Sequence, residues 1–181
     1  KSKNNELILI NNGSEDNTKE VIKKYLIKYD NLYILDIEKN IGFGHGVMEG
    51  IKICRGQTII YTHADSEVDP QDVLEGLKNI PKQSNRYIVK GNRINRRKNN
   101  WSYIDIFISK SLSVYTSLLF QKFTYDLHAQ PVIFDKSFTI NFKNPPKDFM
   151  FDIYVYLLAL KKNYLIFRFP VNFDKSKRKY G

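Results

Sequence analysis

Residues 7–10 read Leu-Ile-Leu-Ile, an apolar run stopped by Asn11, Asn12, Gly13 and Ser14. A short run with no polar face predicts a buried strand of the parallel kind. Over residues 18–29 the apolar positions are Val21, Ile22, Tyr25, Leu26 and Tyr29, the 3.6-residue spacing of an amphipathic helix. Leu32-Tyr33-Ile34-Leu35 predicts a second strand within 31–37. A glycine-rich turn at 40–46 then opens a helix predicted over about 47–54 and closed by Gly56. Thr58-Ile59-Ile60-Tyr61 predicts a third strand. Asp69-Pro70 starts a helix through residue 77, with proline in its first turn, and residues 86–90 predict a fourth strand.

Strand–helix alternation predicts an α/β fold: a mostly parallel central sheet with helices on both faces. Ligands bind such sheets beyond the carboxyl ends of the strands. The loops at 11–18, 40–46 and 63–69 all follow strands and are polar or glycine-rich, so they are the places to look. The second half differs. Apolar residues at 104, 107, 108, 112, 115, 118 and 119 mark a helix within 101–123. A polar turn from Asp126 to Gln130 follows, then a short strand at 132–134, an apolar helix at 152–160 and a strand at 165–169. The 181 residues fit a single domain, 1–181, whose first part is 1–92 and second part 93–181.

Composition narrows the class. Hydrophobic residues make up 42% and aromatic ones 14%, which excludes disorder. Cys54 is the one cysteine, which excludes a disulfide scaffold or a cysteine zinc site and fits a reducing compartment. No run of about 18 apolar residues is present, so no spanning helix is expected. With 29 Lys and Arg against 19 Asp and Glu the net charge is +10, which suits a polyanion: nucleic acid, an anionic membrane or a phosphorylated small molecule. The basic residues cluster at Arg93, Arg96, Arg97 and Lys98, and again at Lys175, Lys177, Arg178 and Lys179.

The loops offer chemistry, each with a plainer reading beside it. On an extended stretch His63, Asp65 and Glu67 share a face and converge on a divalent cation such as Mg²⁺ or Mn²⁺; otherwise they form a polar loop whose aspartate caps the next helix. The loop 11–18 either caps a helix through Ser14 or Asp16, or binds a nucleoside. Gly42, Gly44 and Gly46 permit close approach to a phosphate, but their spacing is neither a Walker loop nor a dinucleotide fingerprint. The helix in 101–123, beside Arg96, Arg97 and Lys98, fits either a core helix or a membrane-interface helix with Trp101 and Tyr103 as anchors.

Together these segments resemble family 2 glycosyltransferases. Asn11-Asn12-Gly13-Ser14-x-Asp16-x-Thr18 is similar to that family's Asp-Asp-Gly-Ser-x-Asp-x-Thr signature, and Asn40-x-Gly42-x-Gly44-x-Gly46 to its Asn-x-Gly segment. His63-Ala64-Asp65-Ser66-Glu67 looks like its Asp-x-Asp-type metal motif. Asp69-Pro70, the Asp126 to Gln130 turn and the ending Pro170-Val171…Arg178-x-x-Gly181 resemble the dolichyl-phosphate mannosyltransferase-like branch. The resemblance implies a GT-A-type fold that begins after the family's first strand and helix, and an inverting enzyme acting on a nucleotide-sugar donor. Asn11, Asn12, Ser14, Asp16, Asn40, Gly42, Gly46, Ala64 and Arg93 would bind that donor. Asp65, with His63 and Glu67, would hold Mg²⁺ or Mn²⁺. Asn11 and Asn12 stand where the family carries aspartates, which implies an altered base preference, cytidine being one option. His63 in place of an aspartate makes a softer, less anionic metal site.

Arg178 and Arg93 would hold phosphates. The acceptor would be a polyprenyl phosphate, whose own oxygen attacks, or a glycan hydroxyl, which needs a carboxylate base from Asp126, Asp152 or Asp148. The expected setting is bacterial surface polysaccharide or glycolipid synthesis, in the cytoplasm with peripheral contact on the inner membrane face. A catalytically degenerate sugar-nucleotide-binding module of the same fold is the alternative. Nucleic acid is not an expected partner, because the acidic and glycine loops gather at the strand ends.

Overall fold

A computed structural model describes residues 5–177. In chain order the elements are β1 (Leu7–Asn12), α1 (Thr18–Leu26), β2 (Leu32–Ile37), α2 (Phe43–Ile53), β3 (Thr58–Tyr61), α3 (Pro70–Lys78), β4 (Tyr87–Arg93), α4 (Tyr103–Phe120), β5 (Val132–Asp135), α5 (Met150–Lys161) and β6 (Leu165–Val171). Short 3-10 turns follow β5 at Lys136–Asn141 and lie at Lys175–Lys177, the last of the described residues.

β1 and β2 form a parallel pair with Leu7 opposite Leu32 and Asn12 opposite Ile37. The second sheet has the order β3-β5-β4-β6. β4 and β6 run parallel, and β5 runs antiparallel to both β3 and β4. Three of these four strands therefore share one direction, with β5 reversed between them. The sequence pattern does not show that reversal. All four residues of β5 are buried, and a run that is apolar on both faces reports burial rather than direction.

Helices cover both faces. Ile59, Ile88, Val132 and Phe134 pack with Val47 and Ile51 of α2 and with Phe151 and Val155 of α5. Val89, Ile133, Phe169 and Val171 form the core of the other face, under α3. There Gly76 lets α3 descend so far that any side chain would strike Ile133 and Phe169.

Two elements differ from the expected pattern. α2 begins at Phe43 rather than near Val47, so Gly44 and Gly46 lie in its first turn and not in a loop. Their role is contact: a side chain at 44 would run into the Pro146 carbonyl and Phe151, and one at 46 would press on Asn12. The second is α4, which is inside out. Its buried residues are Ser113 and Thr116, while Ile104, Phe107, Val114, Leu118 and Leu119 are exposed. The inward hydroxyls are satisfied locally: Thr116 bonds the Thr124 hydroxyl at 2.5 Å and the Leu112 carbonyl at 2.9 Å. Trp101, expected as an interfacial anchor, is buried instead and donates its indole N–H to the Phe173 carbonyl at 3.0 Å. Among the described residues no helix is long and apolar enough to cross a membrane.

Candidate functional site

A cavity of about 330 Å³ opens beyond the carboxyl ends of β1 and β3. Asn12, Asn40, Gly42, Phe43, His63, Asp65, Glu67 and Phe149 line it. That size is at the lower end of ligand pockets.

One wall is an asparagine cluster. The Asn12 amide donates to Asn40 Oδ1 at 3.1 Å and to the Gly42 carbonyl at 3.2 Å. Asn40 Oδ1 also accepts the Gly42 N–H at 2.9 Å. Gly42 has φ +129°, a conformation that L side chains rarely adopt, and a side chain there would strike the Lys147 carbonyl. Asn12 Oδ1 is buried with no hydrogen-bond partner. A buried acceptor costs free energy when unpaired, and this one lies on the side of Asn12 that meets Gly46 of α2.

The opposite wall is aromatic. His63 stacks on Phe43 with ring centroids 4.6 Å apart, and Phe43 stacks on Phe149 at 5.6 Å. The acidic floor is Asp65 and Glu67. The expected convergence of His63, Asp65 and Glu67 does not form. Ser66 has φ +67° and breaks the extended run, and Asp65 Oδ1 turns back to accept the Glu67 N–H at 3.1 Å. The three residues share the cavity, but among the described residues no three His, Cys, Asp or Glu side chains come together as a metal cage.

A model of Glycosyl transferase family 2 matches residues 1–141. The chain belongs to that family. It is 33% identical over 107 residues to a dolichyl-phosphate beta-glucosyltransferase of Trichomonas vaginalis, a match covering 58% of this chain and 33% of the relative. It is 36% identical over 87 residues to a cholesterol galactosyltransferase of Borreliella burgdorferi, covering 48% of this chain and 24% of the relative. The chain therefore spans a third or less of the length of these curated relatives. Among solved structures it superposes on glucosyl-3-phosphoglycerate synthase from Mycobacterium tuberculosis in complex with Mn²⁺, UDP-glucose and phosphoglyceric acid. The TM-score is 0.64 at 12% identity, over 91% of this chain and 57% of that one. The fold is the GT-A glycosyltransferase fold.

The remaining candidate residues of this family 2 chain lie outside the cavity. Asn11 is buried behind Asn12; its amide donates to Asp36 at 2.7 Å, and its oxygen accepts the Ser14 N–H at 3.3 Å. Asp36 also pairs with Lys19, which, with the Asn11 bond, holds its carboxyl below the usual range. Ser14, Asp16 and Ala64 are exposed. Asp16 accepts the Thr18 N–H at 3.0 Å, but the N-cap of α1 is Asn17, so neither Ser14 nor Asp16 is the capping residue. Gly46 sits against the back of Asn12. Arg178 lies outside the described residues.

Arg93, Asp126 and Asp152 are buried and line none of that cavity; Asp126, with Arg96, borders a second cavity along α4. Asp126 accepts from the Arg93 N–H at 2.6 Å, from Arg93 Nε at 2.7 Å and from Arg96 at 2.8 Å, with Arg168 at 4.0 Å. Burial acts to raise its pKa, but Arg93 and Arg96 outweigh that and hold the carboxyl below its ordinary value. Asp152 accepts the Tyr61 hydroxyl at 2.9 Å and the Gln130 amide at 3.1 Å. Neither carboxylate faces open solvent. Asp148, the third candidate base, is exposed just before α5 and accepts the Met150 N–H at 2.9 Å.

The residues not foreseen are Phe43 and Phe149 in the wall and Lys90, Arg168 and Gln130 behind it. Lys90 had a signal: a lysine ending an otherwise apolar central strand needs a buried partner. Phe149 had none, since it comes from a loop distant in sequence.

Proposed function

We propose that this chain is the nucleotide-sugar-binding core of an inverting glycosyltransferase whose acceptor is a polyprenyl phosphate. The cavity at the ends of β1 and β3, lined by Asn12, Asn40, Gly42, His63, Asp65 and Glu67, carries this reading. Asn12, Asn40, Gly42 and the rings of Phe43 and Phe149 would hold the donor; Asn11 and Gly46 support Asn12 from behind. Residues 1–92 supply most of the donor part and 93–181 the acceptor part, with Phe149 reaching into the donor cavity from the second.

Asp65 and Glu67 supply hard oxygen donors and His63 a nitrogen, which fits Mn²⁺ or Mg²⁺ bound mainly through the diphosphate, with one or two protein ligands. The complex of the M. tuberculosis relative with Mn²⁺ and UDP-glucose supports this choice. Such an ion neutralises charge on the departing nucleoside diphosphate.

The state of the carboxylates favours a phosphate acceptor over a glycan. Asp126 is ion-paired and Asp152 has both oxygens engaged, both of them buried, so neither is poised to take a proton from a hydroxyl; Asp148 is exposed just before α5, outside the cavity lining. A phosphate oxygen is already anionic and needs no base. The name of one curated relative, a dolichyl-phosphate beta-glucosyltransferase, points the same way, whereas cholesterol, named for the other, offers a hydroxyl. A lipid acceptor also suits α4, which offers an apolar face to a bilayer with the exposed Arg97, Lys98 and Lys110 nearby to meet anionic head groups. The setting we propose with it is peripheral contact on the cytoplasmic face of a membrane, in bacterial surface polysaccharide or glycolipid synthesis.

The test is turnover of UDP-, GDP- and CDP-sugars with a polyprenyl phosphate and Mn²⁺, in wild type and Asp65→Ala. Loss of turnover in the variant, with its melting temperature kept, supports the proposal. Equal turnover in both sinks the assignment of Asp65. Binding without turnover in wild type would favour a degenerate binding module.

A further inference from the structure

Behind the cavity, four residues close a ring. Tyr61 and His63 lie two apart at the end of β3. The Tyr61 hydroxyl donates to Asp152 Oδ1 at 2.9 Å, and Gln130 Nε2 donates to Asp152 Oδ2 at 3.1 Å. Gln130 Oε1 accepts the backbone N–H of His63 at 2.8 Å. The ring thus leaves β3 at Tyr61, crosses to α5, passes through the turn before β5 and returns to the residue that begins the acidic loop.

Gln130 is fully buried and Asp152 nearly so, at 0% and 2% exposure. Each partner of Gln130 fixes the same orientation of its amide. A carboxylate only accepts, so it needs the amide nitrogen; the His63 N–H only donates, so it needs the amide oxygen. The ring carries one negative charge, and the buried Lys90 ammonium, which has no hydrogen-bond partner, is electrostatically coupled to it.

We infer that Gln130 is a positioning residue for the donor site, fixing the place of His63, and through it of Asp65, from the buried carboxylate of Asp152. Asp152 acts through Gln130 and touches no substrate. The inference rests on reading the cavity as the donor site, and it adds a determinant of that site's shape outside the cavity lining.

The ring's polarity gives a test by charge exchange. In Gln130→Glu the side chain still accepts from His63 but turns an oxygen toward Asp152, so two carboxylates oppose each other. Adding Asp152→Asn restores a donor facing position 130 and leaves the ring with one negative charge. Asp152→Asn alone keeps a donor–acceptor arrangement by rotating its amide, because the Tyr61 oxygen can accept. The expectation is that Gln130→Glu weakens nucleotide-sugar binding, read as Kd and KM, about tenfold or more, with a smaller change in kcat. Asp152→Asn alone should have a lesser effect, and the double variant should recover most of the affinity.

Amide hydrogen exchange at His63 is followed in parallel and needs no ligand. It should be slow in wild type, faster in Gln130→Glu and slow again in the double variant. Gln130→Met, which keeps the bulk and removes both bonds, stands in should Gln130→Glu fail to fold; it should lose affinity and not be rescued by Asp152→Asn. Wild-type affinity in the folded single variant, or no recovery in the double variant, overturns the inference. If wild type binds no sugar nucleotide, the donor reading fails by itself, and unchanged His63 exchange across the series then overturns the ring as well.

Discussion

Arg93 and Asp126 hold each other by main chain and side chain at once: the Arg93 N–H donates to Asp126 Oδ2 at 2.6 Å, while Arg93 Nε donates to Oδ1 at 2.7 Å. Arg96 adds a third guanidinium contact at 2.8 Å, and Trp101 lies 4.6 Å under the Arg93 guanidinium. The arrangement joins the end of β4 to the turn before β5. Removing the carboxylate leaves buried guanidinium groups without their counter-charge. Asp126→Ala should therefore cost roughly 3–5 kcal/mol of stability at neutral pH, read from the midpoint of chemical denaturation. The pH sense follows from the lowered folded-state pKa. The contribution is present above the unfolded pKa of about 3.9 and is lost as pH falls through the folded value. Below that range wild type and variant should converge.

Lys90 gives the opposite pH dependence. Burial is the main cause that lowers its pKa from 10.5 to about 8, and Asp152 offsets only part of that. Between about pH 8 and 10.5 the unfolded chain keeps the proton and the folded chain releases it, so Lys90 makes stability rise with pH across that window. The full effect is on the order of 3 kcal/mol. Lys90→Met removes this titration. The difference in stability between the two proteins, measured at intervals from pH 7 to 11, should favour the variant most at the acid end and shrink toward the alkaline end. A pH-independent difference would show that Lys90 does not titrate in this window.

The regular elements were legible because their apolar periodicity reflects burial directly: 58–61 predicts β3 as found, and 132–134 predicts β5 to within one residue. The strand-end loops were legible for the same reason, since an α/β alternation puts them at one edge. What each polar residue does there was not. Asn11 and Asn12 are adjacent and alike, yet one is tied to Asp36 and the other faces the cavity, a difference set by strand pairing with β2. The i, i+2 rule failed at 63–67 because the chain bends throughout 64–68, with Ser66 at a positive φ. The stripe on α4 was legible, but periodicity does not show which face of a helix turns inward.

That inverted helix carries its own prediction. Phe107, Leu118 and Phe123 are 71%, 74% and 80% exposed, so replacing them removes little packing. Phe107→Ser, Leu118→Ser and Phe123→Ser together should leave the melting temperature within a few degrees of wild type. Sedimentation with vesicles containing anionic lipid should fall at least tenfold, since each side chain is worth up to about 1.5–3 kcal/mol on transfer from water. Binding to neutral vesicles should be weaker for wild type also, because the basic residues then lack a partner. Undiminished sedimentation by the triple variant would remove α4 from the membrane contact.

Asn12 tests the asparagine that stands where the family carries an aspartate. Its amide nitrogen donates to two acceptors, Asn40 Oδ1 and the Gly42 carbonyl. An aspartate of the same shape would place an oxygen against both, and Gly42 has little freedom to move away because Lys147 closes over it. Asn12→Asp should therefore lower stability by roughly 1–3 kcal/mol, the cost of leaving buried polar groups unpaired. Asn12→Leu should cost a similar amount, and both should show in thermal melts. The two variants part company toward ligand. The aspartate keeps a polar side chain in the cavity wall and should retain nucleotide binding, with its order of preference among UDP, GDP and CDP changed. The leucine does not and should weaken all three. Equal loss in both variants would show that Asn12 acts only by holding the Asn40 and Gly42 wall, with no contact to the nucleotide.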